Sequence, residues 1–287
     1  KYHSEHPYRN GMKKAEIHNT FLKKIKPNIF DAYIERMTEE KEKSKRGKTK
    51  KIVYFSVIGA LVAFLFVYEF FLAGWCKTQP VSSSVDMIIT RFCGAVVAVL
   101  LLNYLGYNLF HKPCAKGLAA AAPCLIVALC NPPMLSLVCG SSSLNYSGKT
   151  LAGYTAVFAA ECILVATFEE MLFRGAIFLS LLETKRENGK RIFLAVLQSS
   201  LAFALVHLLN LFSSSPAAVL LQVGYSFLLG GMCAYTLLCT RNIVFPIIVH
   251  AVFNFCGQFV ERFGYGDWAT LPIMTFTVIL GPIVAAI

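Results

Sequence analysis

Three charged side chains stand inside a long apolar stretch of the sequence, in the segment TFEEMLFRG at residues 167–175. Glu170 and Arg174 are four residues apart, which places them on one helix face in the favourable order for an ion pair. Glu169 points about 100° away from that face. A desolvated carboxylate outside such a pair takes up a proton readily and suits a general base. The segment therefore predicts a structural pair, Glu170 and Arg174, beside a reactive carboxylate, Glu169.

Two later apolar stretches carry a histidine with the same four-residue spacing. The segment FALVH places Phe203 one turn before His207, and HAVFN places His250 one turn before Asn254. The two members of each pair share a helix face. If the three helices meet at one cavity, a carboxylate, two imidazoles and an amide could activate a water molecule and stabilise an oxyanion.

The composition indicates that these helices lie in a membrane. The chain has 287 residues, of which 56% are hydrophobic and 15% are charged, whereas about a quarter of a soluble domain is charged. A membrane-spanning helix needs about 20 mostly apolar residues. The sequence predicts an all-α fold, a polytopic transmembrane helix bundle of about eight spans, at residues 52–75, 87–110, 117–139, 151–181, 192–212, 217–239, 243–260 and 268–287.

The distribution of basic residues predicts the orientation. Residues 1–51 hold 15 of the 27 lysines and arginines, and basic flanks stay on the cytoplasmic side. If the spans alternate, the outer side keeps only four basic residues, Lys77, Arg91, Lys149 and Arg262. We therefore expect an integral, multi-pass membrane protein with both termini cytoplasmic.

The sequence divides into two regions of different character. Residues 1–51 form a basic cytoplasmic segment in which apolar residues recur at three- and four-residue steps. This pattern predicts an amphipathic helix, with residues 13–51 binding the anionic inner leaflet; a solvated charged tail that only sets the orientation is an equal alternative. No nucleic-acid module is recognised, so no nucleic-acid partner is expected. Residues 52–287 form the transmembrane domain, with the catalytic core at about 151–260.

The polar motifs, in their order, are similar to those of a known family. Glu-Glu-x-x-x-Arg, Phe-x-x-x-His and His-x-x-x-Asn follow one another on three predicted spans. In this arrangement the chain resembles the CAAX protease and bacteriocin-processing (Abi/CPBP) family of intramembrane proteases, and its prenyl-protein CAAX endopeptidases in particular. The resemblance covers roughly residues 153–257. The motif residues are Glu169, Glu170, Arg174, Phe203, His207, His250 and Asn254.

The resemblance implies a role for each motif residue. Glu169 would polarise the attacking water, and His207 would share that water or pass a proton to the leaving amine. His250 and Asn254 would hold the oxyanion of the peptide carbonyl. The substrate would be a prenylated CAAX-type tail or an apolar leader or bacteriocin-type peptide, cut by a glutamate-type endopeptidase. The supporting residues would be Glu170 and Arg174, which fix the helix, and Phe203, which packs beside the site.

Metal dependence and two other functions stay open at this stage. One glutamate and two histidines are a common catalytic zinc set, here Glu169, His207 and His250. The usual His-Glu-x-x-His motif is absent from the sequence, so no obligatory cofactor is expected, and zinc is the alternative. Intramembrane charges also occur in ion or proton pathways. A catalytically idle membrane protein that binds a peptide is the other alternative.

The sequence also suggests roles for four further residues. Glu161 lies eight residues before Glu169, about 12 Å nearer the outer face, and is expected to be an interfacial or snorkelling carboxylate. Asn210 follows His207 by three residues and could extend the polar face. Gly224 and Gly230 are expected to permit helix bends or close packing.

Overall fold

The computed structural model describes residues 80–185 and 189–266, together with scattered positions between 47 and 68. All contacts below lie within one unit of the chain, Ser56–Ile287. A π-helical segment, Met171–Phe178, joins α4 to α5, and a 3₁₀ segment, His207–Phe212, follows α6. Strands β1 (Ser142–Leu144) and β2 (Gly264–Gly266) pair antiparallel. The helices are α1 (Pro80–Leu105), α2 (Ala115–Leu129), α3 (Pro132–Val138), α4 (Gly148–Glu170), α5 (Leu179–Lys185), α6 (Gly189–Val206), α7 (Pro216–Thr240) and α8 (Val244–Phe263).

Five helical stretches of the described chain are long and apolar enough to cross a membrane. A sixth crossing is counted if the bent pair α2 and α3 forms one span. These stretches agree within six residues at each end with the predicted second, fourth, fifth, sixth and seventh spans, so the helical membrane bundle is confirmed in outline. They are Ser84–Tyr104, Gly148–Leu182, Ile192–Phe212, Pro216–Thr240 and Val244–Phe263.

Other predictions concern parts of the chain that the structure does not describe. The predicted amphipathic segment, residues 1–51, and the predicted last span, 268–287, lie almost wholly outside the described residues. Only scattered positions of the predicted first span, 52–75, are described. The count of eight spans and the cytoplasmic placement of both termini therefore stay predictions.

The predicted third span, residues 117–139, is not one continuous helix. Helices α2 and α3 meet at a bend of 67°. The sequence at the bend is Asn-Pro-Pro, and a residue before proline avoids the helical conformation. Asn131 is extended there, with φ −61° and ψ 133°. Its buried side-chain amide donates to the carbonyl oxygen of Phe253 in α8, 3.2 Å away. The bend is thus fastened to the helix that carries His250.

Close packing of α6 against α7 depends on Gly230. An added Cβ at Gly230 would lie 2.9 Å from the Cα of Ser200, which is too close for two carbon atoms. This bears out the close-packing expectation for Gly230. At Gly224, in the same helix, an added Cβ would meet nothing within 4 Å.

We expect Gly230→Ala to destabilise the protein, since overpacking a closed contact costs about 1–3 kcal/mol. Gly224→Ala is the matched control and should be neutral or stabilising, because alanine favours helix over glycine by about 1 kcal/mol. Thermal unfolding of both variants in one detergent measures the difference. Equal unfolding temperatures for Gly230→Ala and Gly224→Ala would contradict the packing argument.

Candidate active site

The predicted polar residues line one cavity. It has a volume of about 330 Å³ and lies between α1, α4, the π-helical segment, α6, the 3₁₀ segment, α7 and α8. Glu169, His207, His250 and Asn254 all contribute to its wall, as does Phe203. Residues separated by up to 85 positions in the sequence are therefore brought to one site. Glu170 and Arg174 lie behind this wall.

The helix that carries the two glutamates changes its winding next to them. Helix α4 ends at Glu170, and the π-helical segment Met171–Phe178 begins at the next residue. Arg174 lies within this wider turn. Such π segments are rare, and they occur frequently at functional sites. The change of winding places Glu169 on the last turn of regular helix.

Glu170 accepts two contacts on a single oxygen atom. Its Oε1 lies 2.9 Å from Nη1 of Arg174, and both side chains are fully buried. The same Oε1 lies 2.8 Å from Nδ1 of His250. The contact with Arg174 is not aligned as a hydrogen bond, and Glu170 Oε2 has no hydrogen-bond partner among the described residues. The guanidinium also lies over the ring of Phe203, 4.6 Å from its centroid. The ion pair with Glu170 and the contact with the ring of Phe203 therefore hold Arg174 in place.

Glu169 has a different environment from its neighbour. Its side chain is 21% exposed, and its Oε2 lies 3.5 Å from Nε2 of the buried His250. His250 therefore stands between the two carboxylates, with one ring nitrogen directed at each. Because a carboxylate only accepts, Nδ1 of His250 donates its proton to Glu170. Arg174 neutralises one of the two carboxylates.

The second histidine is held in one tautomer. His207 is the first residue of the 3₁₀ segment, and its Nδ1 lies 2.9 Å from the carbonyl oxygen of Phe203. Since a carbonyl only accepts, Nδ1 carries the proton, and Nε2 of the neutral ring is an acceptor. The ring of Phe203 contacts both histidines, with centroid distances of 5.0 Å to His207 and 5.5 Å to His250. Phe203 thus packs between the two imidazoles.

The placement of Glu161 at the membrane interface stays a prediction. Within the bundle its carboxylate is buried, with 8% of the residue exposed. Its Oε1 lies 2.9 Å from Nη2 of Arg262, and Nη1 of Arg262 donates to the hydroxyl of Ser84 over 3.3 Å. The sequence assigned Arg262 to an outer loop because the seventh span was ended at Val260. Helix α8 continues to Phe263, so Arg262 remains in the bundle.

Arg91 is the functional candidate that the sequence reasoning missed. The sequence analysis counted it only with the basic residues of the outer side, and the structure shows that it lies in α1 and lines the cavity. Its guanidinium carbon is 5.8 Å from the ring centroid of Phe168, the residue before Glu169. An arginine inside an apolar run was the available signal. Asn210 also lines the cavity and donates to Gln222 over 2.8 Å. Other polar residues of the wall are Tyr225, Ser226 and Gln258.

One group of side chains in the described part of the chain has metal-ligating atoms close together. Atoms of Glu170, Cys233 and His250 lie within 4.8 Å of one another. This set differs from the alternative zinc set considered from the sequence, Glu169, His207 and His250, because Glu170 and Cys233 take the places of Glu169 and His207. It does not fit a cation, because Nη1 of Arg174 is 2.9 Å from the same Glu170 oxygen and would repel it. We therefore assign no metal to this group.

One family model of known proteins matches the part of the chain that carries this site. The matched class is that of CAAX-type membrane proteases. More narrowly, residues 151–256 match the family of type II CAAX prenyl endopeptidases described as Rce1-like. The match covers 106 of the 287 residues, and the resemblance seen in the motifs is confirmed, since all three motifs fall within the matched residues.

A second family model matches the amino-terminal segment of the chain. Residues 1–49 match the winged-helix model of elongation factor SelB, and they lie almost wholly outside the described residues. The expectation of no nucleic-acid partner stays a prediction. No curated protein and no solved structure matches the chain significantly.

Proposed function

We propose that the chain is an intramembrane endopeptidase in which Glu169 activates the attacking water. The observation that carries this proposal is the difference between the two adjacent carboxylates. Arg174 neutralises the fully buried Glu170 at 2.9 Å, whereas Glu169 faces the cavity and lies 3.5 Å from a ring nitrogen of His250. A carboxylate in this position can take a proton from water.

The neighbouring groups supply the rest of the reaction. Water loses a proton to Glu169, and its oxygen attacks the peptide carbonyl carbon to give a tetrahedral oxyanion. Protonated His250 and the amide of Asn254 donate hydrogen bonds to that oxyanion. The C–N bond then breaks, and the leaving nitrogen receives the proton. His207 shares the water through Nε2, the nitrogen left free by its bond to Phe203, and relays this proton.

The substrate class follows from the family and the membrane setting. We propose a prenylated CAAX-type tail, with an apolar leader or bacteriocin-type peptide as the second candidate. The described helices form an apolar bundle, so the substrate must be able to reach a cavity in the membrane. Contact of residues 13–51 with anionic lipid of the inner leaflet, and a cytoplasmic amino terminus, are further parts of this proposal.

We propose that no metal is obligatory. The protein groups above provide both a base for the water and donors for the oxyanion, so each step proceeds without a Lewis acid. Zinc held by Glu169, His207 and His250 is the competing arrangement.

Purified protein in phospholipid vesicles should cleave a quenched fluorescent peptide that ends in farnesyl-cysteine, two aliphatic residues and a free terminal residue. We expect little cleavage of the same peptide without the farnesyl group, and full activity after treatment with a zinc chelator. Preferred cleavage of an apolar leader peptide would select the second substrate class. A loss of more than about tenfold with chelator, reversed by added zinc, would assign the metal to Glu169, His207 and His250. No cleavage of any peptide by folded protein would contradict the proposal, and proton flux would then test the ion pathway.

A further inference from the structure

A second polar region lies in the cavity beyond the motif residues. Arg91 and Glu161 both line the cavity wall, and neither belongs to the three motifs. Arg91 comes from α1, and Glu161 comes from α4, two turns before Glu169. The guanidinium carbon of Arg91 lies 5.8 Å from the centroid of the Phe168 ring. The cavity wall thus carries a second polar region, at Arg91 and Glu161, besides the one at the histidines.

The charges of this second polar region favour an anionic ligand. Arg262 contacts Glu161 Oε1 at 2.9 Å and neutralises it, and Arg262 is not part of the cavity wall. Among the described residues that line the cavity, Arg91 is the one with a permanent positive charge. A planar guanidinium matches the two oxygens of a carboxylate. It carries five N–H donors, so it can support the fold and hold a ligand at once.

The position of Arg91 relative to Glu169 limits the length of the ligand. The guanidinium carbon lies 5.8 Å from the ring centroid of Phe168, and Phe168 directly precedes Glu169, with consecutive Cα atoms about 3.8 Å apart. An extended peptide advances about 3.3–3.6 Å per residue. A peptide whose carbonyl lies at Glu169 and whose anionic group lies at Arg91 therefore has only a few residues between them.

We propose that Arg91 binds the terminal carboxylate of the substrate peptide. The bond at Glu169 is then cut within a few residues of the carboxyl end, and a carboxy-terminal tail is selected over a leader peptide. Arg91 is a specificity-determining residue in this arrangement, because it contacts the substrate at a distance from the reacting atoms. The inference rests on the proposed peptidase function and adds a recognition site to it.

Three peptides that differ only at the end test this recognition. The first has a free terminal carboxylate, the second has a terminal amide, and the third has a terminal amide on a glutamate, which moves the carboxylate to a side chain. We expect the native protein to cleave the first at least about tenfold faster in kcat/KM than the other two, as suits one charged hydrogen bond of about 1.5–3 kcal/mol. Mass spectrometry of the products gives the position of the cut.

Variants at Arg91 connect this preference to the guanidinium. Arg91→Gln should reduce the ratio of free acid to amide to near one, and Arg91→Lys should keep a smaller preference. Lys149→Gln is the matched control, since it removes one positive charge from an exposed residue of α4 and should leave the ratio unchanged. Thermal unfolding of each variant shows whether it is folded.

The cleavage rates of the three peptides decide whether Arg91 binds the terminal carboxylate. Equal cleavage of acid and amide by the native protein would overturn it, and so would an unchanged ratio in folded Arg91→Gln. Recovery of cleavage by the side-chain carboxylate would overturn it in favour of acidic-residue recognition. Should Arg91→Gln fail to fold, a Lys variant with the full native ratio would overturn it, and a reduced ratio would support it. Failure of the native protein to cleave any of the three contradicts the peptidase function itself, which separates the two proposals.

Discussion

Glu169→Gln is expected to lower kcat by about 10²–10⁴-fold, the usual contribution of a general base, while the protein folds normally. Glutamine keeps the size and shape of the side chain but cannot accept the proton of the water. The side chain is 21% exposed and lies outside the buried pair of Glu170 and Arg174, so folding does not depend on its charge. Peptide cleavage and thermal unfolding of the same preparation measure the two effects.

Glu261→Gln is the matched control for Glu169→Gln. It is the same chemical change at an exposed position of α8, and it should alter neither kcat nor stability. A Glu169→Gln variant with more than about a tenth of native kcat would show that another group removes the proton, because a lost base lowers the rate by at least about 10²-fold.

Arg174→Ala is expected to reduce the amount of folded protein severely. Arg174 and Glu170 are both 0% exposed and 2.9 Å apart, and removing one partner of a buried ion pair costs about 3–5 kcal/mol. The variant also removes the cation that lies 4.6 Å above the ring of Phe203. The yield of monodisperse protein and its unfolding temperature in detergent are the measurements.

A double variant separates charge from packing in this prediction. Arg174→Met combined with Glu170→Gln removes both charges and keeps side chains of similar length, and the amide oxygen of the new glutamine can still accept from His250. Replacing both partners of a buried pair is often neutral or stabilising, so the double variant should regain most of the folded protein. Equal loss of folded protein in Glu169→Gln and Arg174→Ala would contradict the division between a reactive and a structural glutamate.

Helix geometry gives the adjacent residues Glu169 and Glu170 different environments. Successive residues on a helix point about 100° apart, so Glu170 can face Arg174 while Glu169 faces the cavity. The π-helical segment begins directly after Glu170 and contains Arg174. His250 then contacts both carboxylates, through Nδ1 to Glu170 and Nε2 to Glu169. A change in the charge of Glu170 would therefore alter the electrostatic environment of Glu169, because one imidazole ring contacts both carboxylates.

Much of the fold could be predicted because membrane helices have a strong sequence signal. Long apolar runs and a low share of charge predict spans, and the fifth predicted span agrees with the described stretch at both ends, Ile192–Phe212. The bend between α2 and α3 was not predicted, although Asn-Pro-Pro marked it. Hydropathy sums over a window, so a local break in helix direction leaves the sum unchanged.

Sequence spacing predicted the Glu170–Arg174 pair, and the structure shows this contact across the junction of α4 and the π-helical segment. Sequence spacing also determined the candidate residues of the site, each drawn from one short motif. Only the tertiary structure decided that His250 joins the two glutamates, that Arg262 neutralises Glu161, and that Arg91 enters the cavity. These contacts connect different helices, and distances between helices depend on how side chains pack across the bundle, which no spacing along one helix encodes.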